Sequence, residues 1–190
     1  MFHGVKYIKI KELGLSQIYL NQKKIDNIYK WINLTDLSTF HPLPVYDFGN
    51  GKLTLTDGHT RAFVAHKLGL EEVPVQYDTD DMITSEIGQL LYKVDIAWCE
   101  RFDLRSVMDL ESRIIPDEQY QVLWLDRCEK AYSLYAQTTE VERNRMQLLR
   151  PNLFLYGASK DLQTIYFEDQ QGLSCVEVNI DENIRGHASK

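Results

Sequence analysis

Three cysteines in 190 residues, Cys99, Cys128 and Cys175, are too few and too widely spaced to staple a fold. An odd count without paired spacing argues against a disulfide framework and against a zinc site, and it fits a reducing cytoplasm. No apolar run approaches the length that crosses a bilayer, so no membrane partner is expected. The first residues, Met-Phe-His-Gly-Val-Lys, lack the hydrophobic core of an export signal. Internal repeats, low-complexity tracts and Ser/Gly linkers are also missing, which leaves one sizeable domain or a domain with an elaborate extension.

Positive charge is scarce where a nucleic-acid binder would need it. The chain carries a net −7, and the deficit lies late in the sequence. Residues 1–78 hold nine Lys and Arg against eight Asp and Glu, residues 79–150 nine against fourteen, and residues 151–190 three against six. A duplex binder needs a basic face to displace counterions from phosphates, and no such stripe occurs here. A small anion held in a local pocket remains compatible with an acidic whole. Hydrophobic content of 44%, with 11% aromatic, is ample for a core.

The most informative stretch is Leu53-Thr54-Leu55-Thr56-Asp57-Gly58-His59-Thr60-Arg61-Ala62. Alternation at Leu53 and Leu55 predicts a short strand, Asp57-Gly58 a turn, and residues 60–68 a helix closed by Gly69. A helix start presents N–H groups without intrahelical partners at the positive end of the helix dipole. Gly58 admits a ligand close to the backbone, and Arg61 adds a cationic fork suited to phosphate oxygens. The turn therefore forms a candidate anion cradle. On spacing alone the plainer account is favoured: Asp57 caps the helix, Gly58 makes the turn, and His59 and Arg61 face water.

Around this turn the pattern reads as a small mixed unit. Tyr7-Ile8-Lys9-Ile10 alternates as a first strand, and Asn21 caps a helix over 22–32 with Ile25, Ile28, Tyr29 and Ile32 at helical spacing. Residues 33–40 read as polar loop. Residues 41–48 form a strand entered through prolines, Asn50-Gly51 a hairpin signal into 52–56, and residues 72–77 a further strand. From Thr79 the character becomes helical: 84–101, 107–113 (opened by Ser106 and Asp109), a long helix beginning at Pro116, and 139–149. A hairpin of 162–168 and 174–180 follows, and the tail from Asp181 is polar. The fold class is α+β, with domains at 1–80 and 81–190.

Other reactive side chains have plainer readings. Asp78, Asp80 and Asp81 are hard ligands of the kind Mg²⁺ takes, but a solvated acidic run after a strand is the commoner case, so no metal site is assigned. Cys99 has no activating base beside it, and Trp98, Trp124 and Cys128 fall on apolar stripes that suit helix packing. His41 and His66 read as structural.

The order of Pro42-Leu43-Pro44-Val45, the hairpin, Asp57-Gly58-His59-Thr60-Arg61-Ala62, and Leu68-Gly69-Leu70-Glu71-Glu72-Val73-Pro74-Val75 resembles the ParB/sulfiredoxin superfamily over residues 5–78. The resemblance implies a nucleotide site. Gly58 and Arg61 would meet phosphates, Asp57 would orient a hydroxyl or a metal-bound phosphate, and His59 or Thr60 would line the pocket. Ser16 and Gln17 sit where the family's first loop approaches the site; they bind ligand or simply finish a turn. ATP or another nucleoside phosphate is the implied ligand, with Mg²⁺ as an accompanying ion. The turn also closely resembles that of the free-serine kinases, which implies phosphoryl transfer to a small hydroxylated molecule, with Asp57 and His59 as catalytic candidates.

This sequence also departs from the family. Sulfiredoxins carry a Cys where His59 stands, so their thiol chemistry is excluded. ParB partition proteins continue into a DNA-binding module, whereas this continuation is short and acidic. The serine kinases place an essential Glu in the loop after the first strand, where this chain reads Gly14-Leu15-Ser16-Gln17-Ile18-Tyr19-Leu20-Asn21 with Glu12 as the nearest acid. Two other readings stay open: a nucleotide-binding regulatory module with a protein partner, and, against the charge, DNA binding or nuclease action.

Overall fold

The structure, a computed structural model, describes residues 3–32, 40–172 and 175–180. The expectations for residues 33–39 and for the tail from Asp181 lie outside the described residues. The architecture is α+β, in two compact units, Met1–Gln121 and Val122–Lys190.

The first unit is built on a mixed sheet of order β1-β5-β3-β4, from β1 (Val5–Lys9), β3 (Leu43–Asp47), β4 (Leu53–Leu55) and β5 (Glu72–Tyr77). β1 and β4 run antiparallel to their neighbours, and β3 runs parallel to β5. The alternation that predicts these strands matches the burial. Leu43, Val45, Val73 and Val75 are fully buried, while the edge strand β1 leaves Val5 and Tyr7 exposed. The Asn50-Gly51 signal falls in the loop 48–52 that joins β3 to β4. There Gly51 takes φ 73°, and the Asp47 carboxylate accepts from the Gly49 and Gly51 amides.

Two helices form the rest of this core. α1 (Gln22–Trp31) begins at Asn21, whose side chain accepts from the Lys24 amide as expected of a cap. It buries Ile25 and Ile28, but Tyr29 points out. α2 (His59–Lys67) is buried along most of its length, at Ala62, Phe63, Val64 and Ala65. Its end is a Schellman motif: the Gly69 amide donates to His66 and the Leu70 amide to Ala65, with Gly69 at φ 91°.

A short strand β2 (Leu20–Asn21) pairs in parallel with β6 (Ile114–Ile115). Between β5 and β6 lie α3 (Asp81–Thr84), α4 (Glu86–Arg101) and a 3₁₀ segment, Val107–Arg113. The Ser106 start carries the expected capping box with Asp109. α4 buries Trp98 and Cys99, and burial pushes the Cys99 thiol up to about 12, so it is unreactive at neutral pH. α5 (Asp117–Tyr120) is a single turn that buries Tyr120.

The long helix anticipated from Pro116 is interrupted: a wide turn, Gln121–Leu125, precedes α6 (Asp126–Gln137). Such a turn inserts an extra residue and rotates the following face, which leaves Trp124 buried and Leu123 and Leu125 exposed. α7 (Glu140–Gln147) opens with a capping box of Thr139 and Glu142. The C-terminal hairpin is present as β8 (Thr164–Glu168) and β9 (Cys175–Asn179), and β7 (Phe154–Ala158) adds a third antiparallel strand. Ile165 and Phe167 form the centre of this unit. β7 approaches α6 at Gly157, where a Cβ would stand 2.6 Å from the Lys130 Cβ. A buried, bidentate Arg127–Glu168 pair joins α6 to β8, its second contact at 2.6 Å.

Candidate functional site

The Asp57–Arg61 turn begins where β4 ends. Gly58 takes φ 81° and ψ 14°, a left-handed conformation that costs an L side chain about 1–2 kcal/mol. A Cβ at this position would lie 2.7 Å from Leu43 Cδ2 and 3.0 Å from an Arg61 guanidinium nitrogen. The turn therefore needs glycine both for its dihedral and for space. The Gly58 carbonyl accepts the first intrahelical bond of α2, from Ala62 at 2.9 Å. α1, α3, α4 and α7 each start with a side-chain cap, whereas α2, α5 and α6 have none.

The loop before α1 is tied to this turn through Gly14. Its amide donates to Leu53 and its carbonyl accepts from Leu55, so the loop runs as an extra rung on β4. A Cβ on Gly14 would stand 2.5 Å from the Thr54 hydroxyl, so only glycine permits the approach. Two residues on, the buried Ser16 hydroxyl donates to the Leu55 carbonyl at 2.7 Å, and its amide donates to His59 Nε2 at 3.1 Å.

That last bond fixes the chemistry of His59. An Nε2 that accepts carries no proton, so the proton of the neutral ring sits on Nδ1. Nδ1 is buried and has no hydrogen-bond partner among the described residues. Burial pushes the His59 pKa from 6.5 down to about 4, with Asp57 opposing the shift weakly. At neutral pH His59 is an uncharged donor rather than a proton acceptor.

Arg61 is held but not neutralised. One guanidinium nitrogen donates to the His41 carbonyl at 3.1 Å, and the other stands 3.5 Å from the Asp57 carboxylate. The Asp57 side chain is 81% exposed and that of Arg61 21%, so solvent screens the contact from the carboxylate side.

These groups line one cleft of about 300 Å³. Asp57, Gly58, His59, Thr60 and Arg61 form part of it, and Gln17 and Tyr120 complete that part. A further wall comes from Lys24, Asn27, Ile28 and Trp31 of α1. The sequence candidates thus come together, except that Ser16 does not line the cleft and instead donates its amide to His59. The α1 wall is the part the sequence reading missed. Its signal was the i, i+3, i+4, i+7 spacing of these residues, masked by the neighbouring apolar stripe through Tyr29 and Ile32.

The acids weighed as metal ligands do local work. Asp78 accepts from the Thr56 hydroxyl at 2.5 Å and from the Asp80 amide, and Asp80 caps α3. Among the described residues no group of three or more His, Cys, Asp or Glu is placed to hold a metal ion. No helix among them is long and apolar enough to cross a membrane.

No protein-family model matches this chain, and no curated protein matches it. Among solved structures it is similar to SbnI with C-terminal truncation from Staphylococcus aureus, with 19% identity and a TM-score of 0.31. That match covers 40% of this chain and 31% of the other, so it spans about a third of that protein's length. A likeness this slight assigns no residue a role.

Proposed function

We propose that the cleft at the start of α2 binds the phosphates of a nucleoside phosphate, ATP being the reference ligand. The observation that carries this reading is the unpartnered Nδ1–H of His59 beside the uncapped amides of α2. Buried donors are normally satisfied, and an acceptor oxygen supplied by a ligand would satisfy this one. Phosphate oxygens suit all the donors at once: backbone N–H groups at a helix start, a neutral imidazole N–H, and the Arg61 fork. Lys24 and Arg61 give the cleft two cations against the one carboxylate of Asp57. The resemblance of residues 5–78 to the ParB/sulfiredoxin superfamily points the same way. Mg²⁺ would enter with the nucleotide, because this ion keeps most of its waters and needs only one or two carboxylates besides phosphate oxygens.

A second reading adds turnover, and Asp57 favours it. An exposed carboxylate at the edge of a phosphate site can take the proton of an acceptor hydroxyl. The acceptor oxygen then bonds to the terminal phosphorus while the bond to the bridging oxygen breaks, leaving ADP. His59, already protonated on Nδ1 and bonded at Nε2, serves this step as a donor to phosphate rather than as the base.

Calorimetry with ATP, CTP and GTP on the wild type and on Arg61→Ala tests the binding reading. The expected result is binding that weakens at least tenfold in the variant, the scale of a charge-assisted hydrogen bond. Equal affinity for both proteins removes Arg61 from the site. Incubation with ATP, Mg²⁺ and a panel of hydroxylated metabolites tests transfer; bound nucleotide with no phosphorylated product leaves a binding module without turnover.

A further inference from the structure

We propose that the α1 wall of the cleft is a stacking platform for the base of the bound nucleotide, with Trp31 as its plane. This inference rests on the nucleotide reading above and names the part of the ligand that reading leaves free. Three tryptophans occur in the chain, and two of them, Trp98 and Trp124, are 5% and 6% exposed. Trp31 is 47% exposed and lines the same cleft as the Asp57–Arg61 turn. The turn presents donors for negative charge, and Trp31 presents an aromatic surface that gains from being covered. A ligand that satisfies both is flat and apolar at one end and anionic at the other, which describes a nucleotide.

Position on the helix supports the pairing. Lys24, Asn27, Ile28 and Trp31 recur at the spacing of a single helix face, so the indole and the Lys24 ammonium belong to one surface. Lys24 is held over the Tyr120 ring, 5.1 Å from its centre, which keeps a cation on the wall that carries the indole. Inorganic phosphate alone would use the turn and Lys24 and leave the indole idle. Stacking on an aromatic plane tolerates any base, because every base has a π-face, so the platform adds affinity more than base selectivity.

The test compares ATP, adenosine and inorganic tripolyphosphate on the full chain, by calorimetry and by tryptophan emission. Trp31→Leu removes the plane, and Trp31→Phe keeps an aromatic ring. The expected result is quenching by ATP that is lost in Trp31→Leu, with ATP affinity about tenfold weaker there and restored in large part in Trp31→Phe. Tripolyphosphate affinity stays unchanged in both variants. ATP and tripolyphosphate binding equally well, with Trp31→Leu altering neither, overturns the platform and leaves the phosphate cradle standing. Failure of both ligands to bind the wild type is a different result, and it overturns the nucleotide reading itself together with the platform.

Discussion

The Ser16 amide and the His59 imidazole meet at 3.1 Å, and this contact sets which nitrogen of the ring carries the proton. A nitrogen-15 correlation spectrum is expected to show His59 as the Nδ1–H tautomer throughout the neutral range. An Nε2–H tautomer would break the link to Ser16.

Acid should weaken the fold through the same ring. The folded pKa of about 4 lies below the ordinary 6.5, so between these values the unfolded chain binds more protons than the native one. Stability is therefore complete above about 6.5 and falls as pH drops toward 4, by up to about 3 kcal/mol from this group. Urea melts at pH 7 and 4.5 measure the fall, and His59→Gln should flatten it.

Gly58→Ala is expected to cost about 1–3 kcal/mol of stability, from the positive φ and the crowding against Leu43. It should also lower nucleotide affinity, because the new methyl presses on the Arg61 guanidinium. Thermal melts and calorimetry on one preparation read both effects.

Asp57→Asn separates binding from transfer. Loss of the carboxylate frees Arg61 from its 3.5 Å contact, so triphosphate binding should tighten a few-fold. Any transfer to a hydroxyl acceptor should disappear. Transfer that survives the change would exclude Asp57 as the proton acceptor.

In the second unit, Arg127→Ala leaves the Glu168 carboxylate buried without its bidentate partner and is expected to cost about 3–5 kcal/mol. Arg127→Met combined with Glu168→Leu should recover most of the loss, because two apolar groups need no pairing. Denaturant midpoints of the single and double variants supply the comparison.

Local chemistry made much of the first unit legible. Asn21, the Ser106 and Asp109 pair, Asn50-Gly51 and Gly69 each act within a few residues of themselves, and each does in the structure what its type predicts. The Asp57–Arg61 turn was visible for the same reason. Gly14 was not, because its necessity arises from Thr54, forty residues away on β4. The burial of His59 was equally hidden, since it depends on a loop from another part of the chain. β7 escaped notice because Leu153-Phe154-Leu155-Tyr156 is apolar without alternation, a pattern that periodicity does not resolve.

α2 is finished at one end only. Its last carbonyls are taken up by Gly69 and Leu70, while its first amides lack a side-chain cap. The positive end of this rod is thus left without a side-chain partner, and whatever docks there completes the helix as well as filling the cleft. Ligand occupancy should therefore register as slowed amide exchange at residues 59–61, a signature that stays silent for molecules resting elsewhere on the surface.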